Sequence, residues 1–226
     1  MPKPHGKPKV ISEAGLQNDL QYVLGSIDCH LVLSHISRPV RGMHVLEPGC
    51  GSGKLGLWYA MQGANVTLMD IDENALEYAF YLHKLVQQAR PAQWGEVTLW
   101  QGSIHDLGKL YAPDFDLVFN EGVVYFWRQP WRQHAINEMA KVTRPGGHVC
   151  VIGNSAHNTD IMKMAESVKH TYMGMPRIEI PFTRFELADR LRKAGLRDVQ
   201  VRPVDGFMVD PPRWESSRMI AGWGTR

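Results

Sequence analysis

Cysteine is scarce in this 226-residue chain: there are three, Cys29, Cys50 and Cys150, an odd number without a C-x-x-C pair. That argues against a disulfide framework and a zinc site, and predicts free thiols in a reducing compartment. His30 and His35 stand five apart, off the i, i+4 spacing of a helical ligand pair, so no metal is expected. No apolar run approaches the roughly 18 residues that cross a bilayer. The opening Met-Pro-Lys-Pro-His-Gly-Lys-Pro-Lys carries charge but no apolar stretch behind it, so it does not read as a signal peptide. A cytoplasmic protein is the expectation. Charge of one sign is lacking too: the formal net charge is +2 and the pI about 8.4, without the basic stripe of a dedicated nucleic-acid binder. Nucleic acid is therefore not the expected partner. Repeats and low-complexity segments are missing beyond residues 1–10, whose three prolines and three lysines suggest a flexible tail.

What is there suits one α/β domain. Hydrophobic residues make up 44% and charged residues 21%, which supplies a sizeable core and argues against general disorder. We expect a single domain over 1–226, with a helical cap at 11–42 and a core at 43–209. From Ser12 to about Ile36, Leu16, Leu20, Val23, Leu24, Ile27 and Leu31 trace one face of a helix. Strands are then expected at 43–47, 65–70, 97–100, 115–119 and 148–152. Helices alternate with them at 54–61, from Asp72 to Pro91, and from about 129 to 142, the last ended by Pro145-Gly146-Gly147. Thr183-Arg184-Phe185-Glu186 is a capping box opening a helix to Lys193, with Gly195 behind it. Val199, Val201 and Phe207 suggest a last strand pair. This alternation predicts a Rossmann-like, doubly wound, mostly parallel seven-strand sheet with its last strand antiparallel and helices on both faces.

The segment Val45-Leu46-Glu47-Pro48-Gly49-Cys50-Gly51-Ser52-Gly53 falls between a predicted strand and a predicted helix. Glycines there let the backbone approach a ligand, and the helix start presents free N–H groups. Gly51-x-Gly53-x-x-Gly56 also spells the dinucleotide fingerprint, and Asp70, 21 residues after Gly49, suits ribose hydroxyls in either kind of cofactor. Glu47 tips the balance, because a carboxylate there repels a pyrophosphate but suits an amino group.

The pattern E-x-G-x-G-x-G resembles motif I of the class I S-adenosylmethionine-dependent methyltransferases. Further segments follow that family in order: Leu68–Asp72, Gln101–Leu107, Phe115–Asn120 and Arg144–Gly147. The resemblance covers roughly residues 43 to 209 and is closest to small-molecule members, many of which read Asn-Glu-Gly-Val where Asn120–Val123 stand here. It implies a methyl transfer by in-line displacement from S-adenosylmethionine, leaving S-adenosylhomocysteine, to a small-molecule acceptor. It places Glu47, Gly49, Cys50, Gly51 and Gly53 around the methionine moiety and Asp70 on the ribose. Ile71 would pack on the adenine, Ser103 and Ile104 would flank it, and Asn120 would approach the sulfonium. Where relatives often carry an adenine-loop Asp, either Ser103 or Asp106 is available. The Glu-His that follows in many relatives is replaced by Val124-Tyr125-Phe126-Trp127. The alternatives are an NAD-dependent oxidoreductase, a non-catalytic cofactor-binding module and, behind these, a methyltransferase acting on nucleic acid.

Such a displacement from a good leaving group needs a base only where the acceptor holds its proton tightly. Glu121 is the candidate catalytic group, as proton acceptor or as a partner for a cationic acceptor. Tyr125, Phe126 and Trp127, with Trp131, offer an aromatic wall for an acceptor, and His157 lies just after the fifth strand. Tyr22 has the reach to lie over the cofactor. His134 reads as a helix-surface histidine and Cys50 as a small buried residue. Asp210-Pro211-Pro212-Arg213 lacks the aromatic that would stack on a flipped base and does not follow strand four, so it is set aside.

Overall fold

A buried apolar strand, β1 (His44–Pro48), runs into the glycine turn and lies in the middle of the sheet. The chain is described by a computed structural model at residues 12–25, 28–90, 94–110, 112, 114–124, 130–167, 170–172, 175–177, 180–205, 207, 210 and 212–226. Two helices precede β1: α1 (Glu13–Leu24), capped by Ser12, and α2 (Asp28–Ile36). The single helix expected from 12 to 36 is thus broken at Gly25, whose extended backbone ends α1. The apolar stripe was real, but a glycine inside it gives up helix propensity and lets the chain turn.

After β1 come α3 (Lys54–Met61), β2 (Asn65–Asp70), α4 (Glu73–Ala89), β3 (Val97–Gln101), a 3-10 turn (Ile104–Asp106) with α5 (Leu107–Leu110), and β4 (Phe115–Glu121). The chain continues with α6 (Trp131–Val142), β5 (Thr143–Asn154), α7 (Thr159–Ser167), a small antiparallel hairpin of β6 (His170–Tyr172) and β7 (Met175–Arg177), α8 (Arg184–Lys193), β8 (Arg197–Pro203) and β9 (Met219–Thr225). Caps expected from the sequence are present. Asp72 accepts from the Asn74 N–H at 3.0 Å, and Thr183 accepts from the Glu186 N–H at 3.1 Å.

Seven strands form one sheet in the order β3-β2-β1-β4-β5-β9-β8, parallel except at β9, which pairs antiparallel with both β5 and β8. The sheet therefore draws in residues 219–225, beyond the expected 43–209 stretch. Phe207 lies outside both strands, in their connection. Two cores flank the sheet. Side chains of α1 to α4 join Val45, Leu117 and Phe119 on one face, and those of α5, α6 and α8 join Leu46, Val118 and Val149 on the other. Among the described residues no helix is long and apolar enough to cross a membrane.

Candidate active site

From β1 the chain winds through β2 to β3 on one side, while β4 and β5 lie on the other, so strand order reverses between β1 and β4. A crevice opens at the carboxyl ends of the strands at such a reversal. Glu47, Asp70 and Glu121 end or nearly end β1, β2 and β4 at that crevice.

The glycine turn is built by backbone. Gly49, Gly51 and Gly53 have φ of +73°, +54° and +70°, which other residues adopt only with strain. A side chain on Gly49 would meet Val123 at 2.7 Å, and one on Gly53 would meet Leu68 at 2.6 Å, whereas above Gly51 nothing lies within 4 Å. The turn is packed at both ends and open in its middle, a cradle fit for a ligand. Asp70, buried, fixes it: one oxygen accepts from the Gly51 N–H at 2.9 Å, the other from the Asp72 N–H at 2.9 Å. The N–H groups of Gly49 and Cys50 both donate to the Met69 carbonyl. Cys50 is buried, and burial raises its thiol well above the usual range, which agrees with a small inert residue.

Glu47 is 4% exposed. Its carboxylate accepts from the Gly56 N–H at 2.8 Å, and burial, opposed by that bond, pushes its pKa up to about 8. A carboxylate held there is short of positive charge, and an ammonium group is what it lacks. This and the open face of Gly51 fit the amino-acid end of S-adenosylmethionine.

Glu121 leaves the sheet on the same face. Val45 pairs with Leu117 and Leu46 with Val118, and side chains alternate, so Glu47, Phe119 and Glu121 all point toward α1 to α3. Glu121 is half-buried and its pKa is raised by burial, with Lys54 pulling the other way. Lys54, the first residue of α3, pairs with Asp19 at 3.3 Å and lies 4.6 Å from the centre of the Tyr22 ring. Asp19 also accepts from the Tyr78 hydroxyl at 3.0 Å. Tyr22 bonds Cys29, and both are raised, chiefly by burial and further by Glu121; Cys29 reaches about 12. The helical cap thus reaches the crevice through Asp19, Tyr22 and Cys29. Sequence reasoning found Tyr22 but missed Lys54, whose position directly behind the glycine turn was the available signal.

The remaining expected residues are placed differently from one another. Ile71, beside Asp70, is 50% exposed and open to a ligand. Ile104 is buried in the second core. Ser103 caps the 3-10 turn by accepting from the His105 N–H at 3.2 Å, while Asp106 is engaged by Lys109 at 2.7 Å. Asn120 is fully buried. Its amide donates to the Pro48 carbonyl at 2.6 Å and accepts from the Val123 and Val124 N–H groups, so its side chain ties the glycine turn to the β4 exit. His157 accepts from the Arg184 N–H at 3.1 Å and packs edge-on to Trp214, which makes it a cap for α8. His134 is half-buried, donates to the His105 carbonyl at 2.9 Å and stacks on the His105 ring. Trp131 is 56% exposed at the start of α6; Tyr125, Phe126 and Trp127 lie outside the described residues. Asp210 lies in the β8–β9 connection.

Comparison with known proteins fits this geometry. A family model described as a methyltransferase domain matches residues 46–151. The chain is 27% identical over 176 residues to the ubiquinone biosynthesis O-methyltransferase of Marinobacter nauticus, covering 75% of this chain and 69% of that protein. It is 32% identical over 110 residues to the protein of that name from Alkalilimnicola ehrlichii, covering 49% of this chain and 41% of the relative. That match therefore spans about two fifths of the relative's length. Among solved structures, magnesium protoporphyrin IX methyltransferase from Synechocystis, with bound SAH, aligns at a TM-score of 0.61 and 16% identity over 99% of this chain and 90% of that one, a likeness of fold. The Rossmann-like sheet, its order and its antiparallel strand are those of this structural class.

Proposed function

Because the chain belongs to the class I S-adenosylmethionine-dependent methyltransferases, we propose that it methylates a hydroxyl group of a small, apolar acceptor. The observation that carries the reading is the buried Glu47, short of positive charge beside the open face of Gly51. Oxygen is preferred as the acceptor atom on the names of its relatives, ubiquinone biosynthesis O-methyltransferases.

Bound S-adenosylmethionine supplies an electrophilic methyl on a sulfonium. The chain's own groups do the rest. Glu47 would hold the ammonium, the Gly49–Gly53 turn would lie along the methionine moiety, and Asp70 would accept from the ribose hydroxyls. Ile71 would cover the adenine, and Ser103 would border it from the cap of the 3-10 turn. Glu121 is the group suited to take the acceptor's proton, since a carboxyl raised toward neutrality is a better match for that task than an ordinary one. Tyr22 and Lys54 would close the crevice from the cap side. Tyr125, Phe126 and Trp127 remain candidates for the acceptor wall. Residues 1–226 are proposed as one domain acting in the cytoplasm.

Thermal unfolding tests the cofactor part. At about 100 times its dissociation constant a ligand adds roughly 2.7 kcal/mol, about 5–10 °C for a chain of this size. We expect that rise with S-adenosylhomocysteine, its loss in Asp70→Ala, and none with NADH. A rise with NADH alone would overturn the reading and make the glycine turn a dinucleotide site. Transfer of labelled methyl to phenolic but not to amine acceptors then tests the choice of oxygen.

A further inference from the structure

Glu47 and Glu121 project from neighbouring strands onto one face of the sheet, at the level of the glycine turn. Continuing the β1–β4 register by the same offset of 72 places Gly49 beside Glu121. The contact of Val123 with Gly49, and the bond from the Asn120 amide to the Pro48 carbonyl at 2.6 Å, hold the two strand ends together there. The cation that acts on both carboxylates is Lys54, and Lys54 is already paired with Asp19 at 3.3 Å. Tyr22 and Cys29, which face Glu121 from the cap, are held neutral. The described residues there therefore offer three carboxylates, of which Asp70 is already tied to the Gly51 and Asp72 N–H groups, and one lysine paired with Asp19.

The cofactor carries two positive groups, an ammonium and a sulfonium, and its product carries one. We infer that Glu121 makes this pocket distinguish the charged cofactor from the neutral product, Glu47 answering the ammonium and Glu121 the sulfonium. The inference rests on the methyltransferase reading above and deepens it. The balance of the reaction agrees with it. The methyl passes from sulfur to the acceptor oxygen, the S–CH3 bonding pair stays on sulfur as a neutral thioether, and the hydroxyl proton goes to Glu121. The opposite charges that face each other before transfer are both gone after it, so the attraction that holds the cofactor is not left to hold the product.

The test is calorimetric binding at pH 8 to the natural chain, Glu121→Gln and Glu121→Asp, without any acceptor. Three probes are used: S-adenosylmethionine, S-adenosylhomocysteine, and an analogue carrying a primary ammonium in place of the sulfonium. In the natural chain both charged probes should bind at least tenfold more tightly than S-adenosylhomocysteine. Glu121→Gln should bring that ratio to within about threefold, mainly by weakening the charged probes, and Glu121→Asp should keep most of it. A ratio unchanged in Glu121→Gln, or an equal loss for all three probes, overturns the inference while leaving the cofactor reading intact. Failure of all three to bind the natural chain overturns both.

Discussion

The two halves of the crevice are built on different terms. On the cofactor side, three polar groups at the strand ends are tied to main chain close by. Glu47 takes the Gly56 N–H, Asp70 takes those of Gly51 and Asp72, and the Asn120 amide spans Pro48, Val123 and Val124. Around α6 and α8, side chains serve the scaffold instead. His157 caps α8, and Arg132, fully buried at the start of α6, donates to Glu186 at 2.8 Å and to the Ile180 carbonyl, over the Phe182 ring. Glu186 also receives Arg190 at 2.7 Å, so one carboxylate serves two guanidinium groups. A site whose contacts run through backbone is fixed by the fold and recognises one ligand across many sequences. A site whose nearby side chains are spent on anchoring helices leaves specificity to the loops between them.

Three changes sharpen or break that contrast. The largest effect is expected from Glu186→Ala, which removes the carboxylate shared by the buried Arg132 and Arg190; removing one partner of a buried pair costs about 3 kcal/mol or more. Urea unfolding should register that loss, while the dissociation constant for S-adenosylhomocysteine stays within about threefold of the natural value; a large loss of cofactor affinity would show the halves are not separable. Next is Glu47→Gln, read through pH. Glu47 holds its proton up to about pH 8 when folded and releases it near 4.5 when unfolded, so its stabilisation is lost as pH rises toward 8. His30, pushed down to about 4 chiefly by burial, acts oppositely: its stabilisation is present above 6.5 and lost as pH falls. Between pH 6.5 and 8 the unliganded protein should therefore lose about 2 kcal/mol. Glu47→Gln should remove most of that slope, and a slope unchanged by the substitution would refute the assignment. The smallest effect belongs to His157→Ala, which removes a helix cap worth about 1 kcal/mol; a fall in methyl transfer far beyond that loss would return His157 to the acceptor site.

The cofactor side was also the legible side. Helix α3 and strand β2 stand where periodicity placed them, and the capping residues Asp72 and Thr183 do what their type implies. The glycine turn was legible because only glycine serves at positive φ beside Val123 and Leu68. Strand β9 was not legible. Its sequence, Met-Ile-Ala-Gly-Trp-Gly-Thr, contains two glycines and reads as loop, yet a side chain at Gly222 would meet Leu187 at 2.6 Å and one at Gly224 would meet the Arg197 carbonyl at 2.9 Å. Close packing, a tertiary demand, chose those residues over strand propensity. The double duty of Asn120 and His157 was hidden for a related reason: their partners are main-chain groups, which leave no mark in the sequence. Helix α6 does end at Val142, where the sequence placed its end, and strand β5 begins at Thr143.

Strand β9 also fixes an order of assembly. It lies between β5 and β8, and among the described residues β8 has no other neighbour in the sheet. During synthesis β8 leaves the ribosome first and must wait, unpaired, until residues 219–225 emerge and slide in beside β5. Until that moment β8 lacks its only described strand neighbour while α8 is held by α6 through Arg132 and Gln133, and the apolar edge of β5 stands open to any strand that meets it. The last piece of the sheet to be made is thus the one that closes it, and a nascent chain halted near residue 210 carries an open seam.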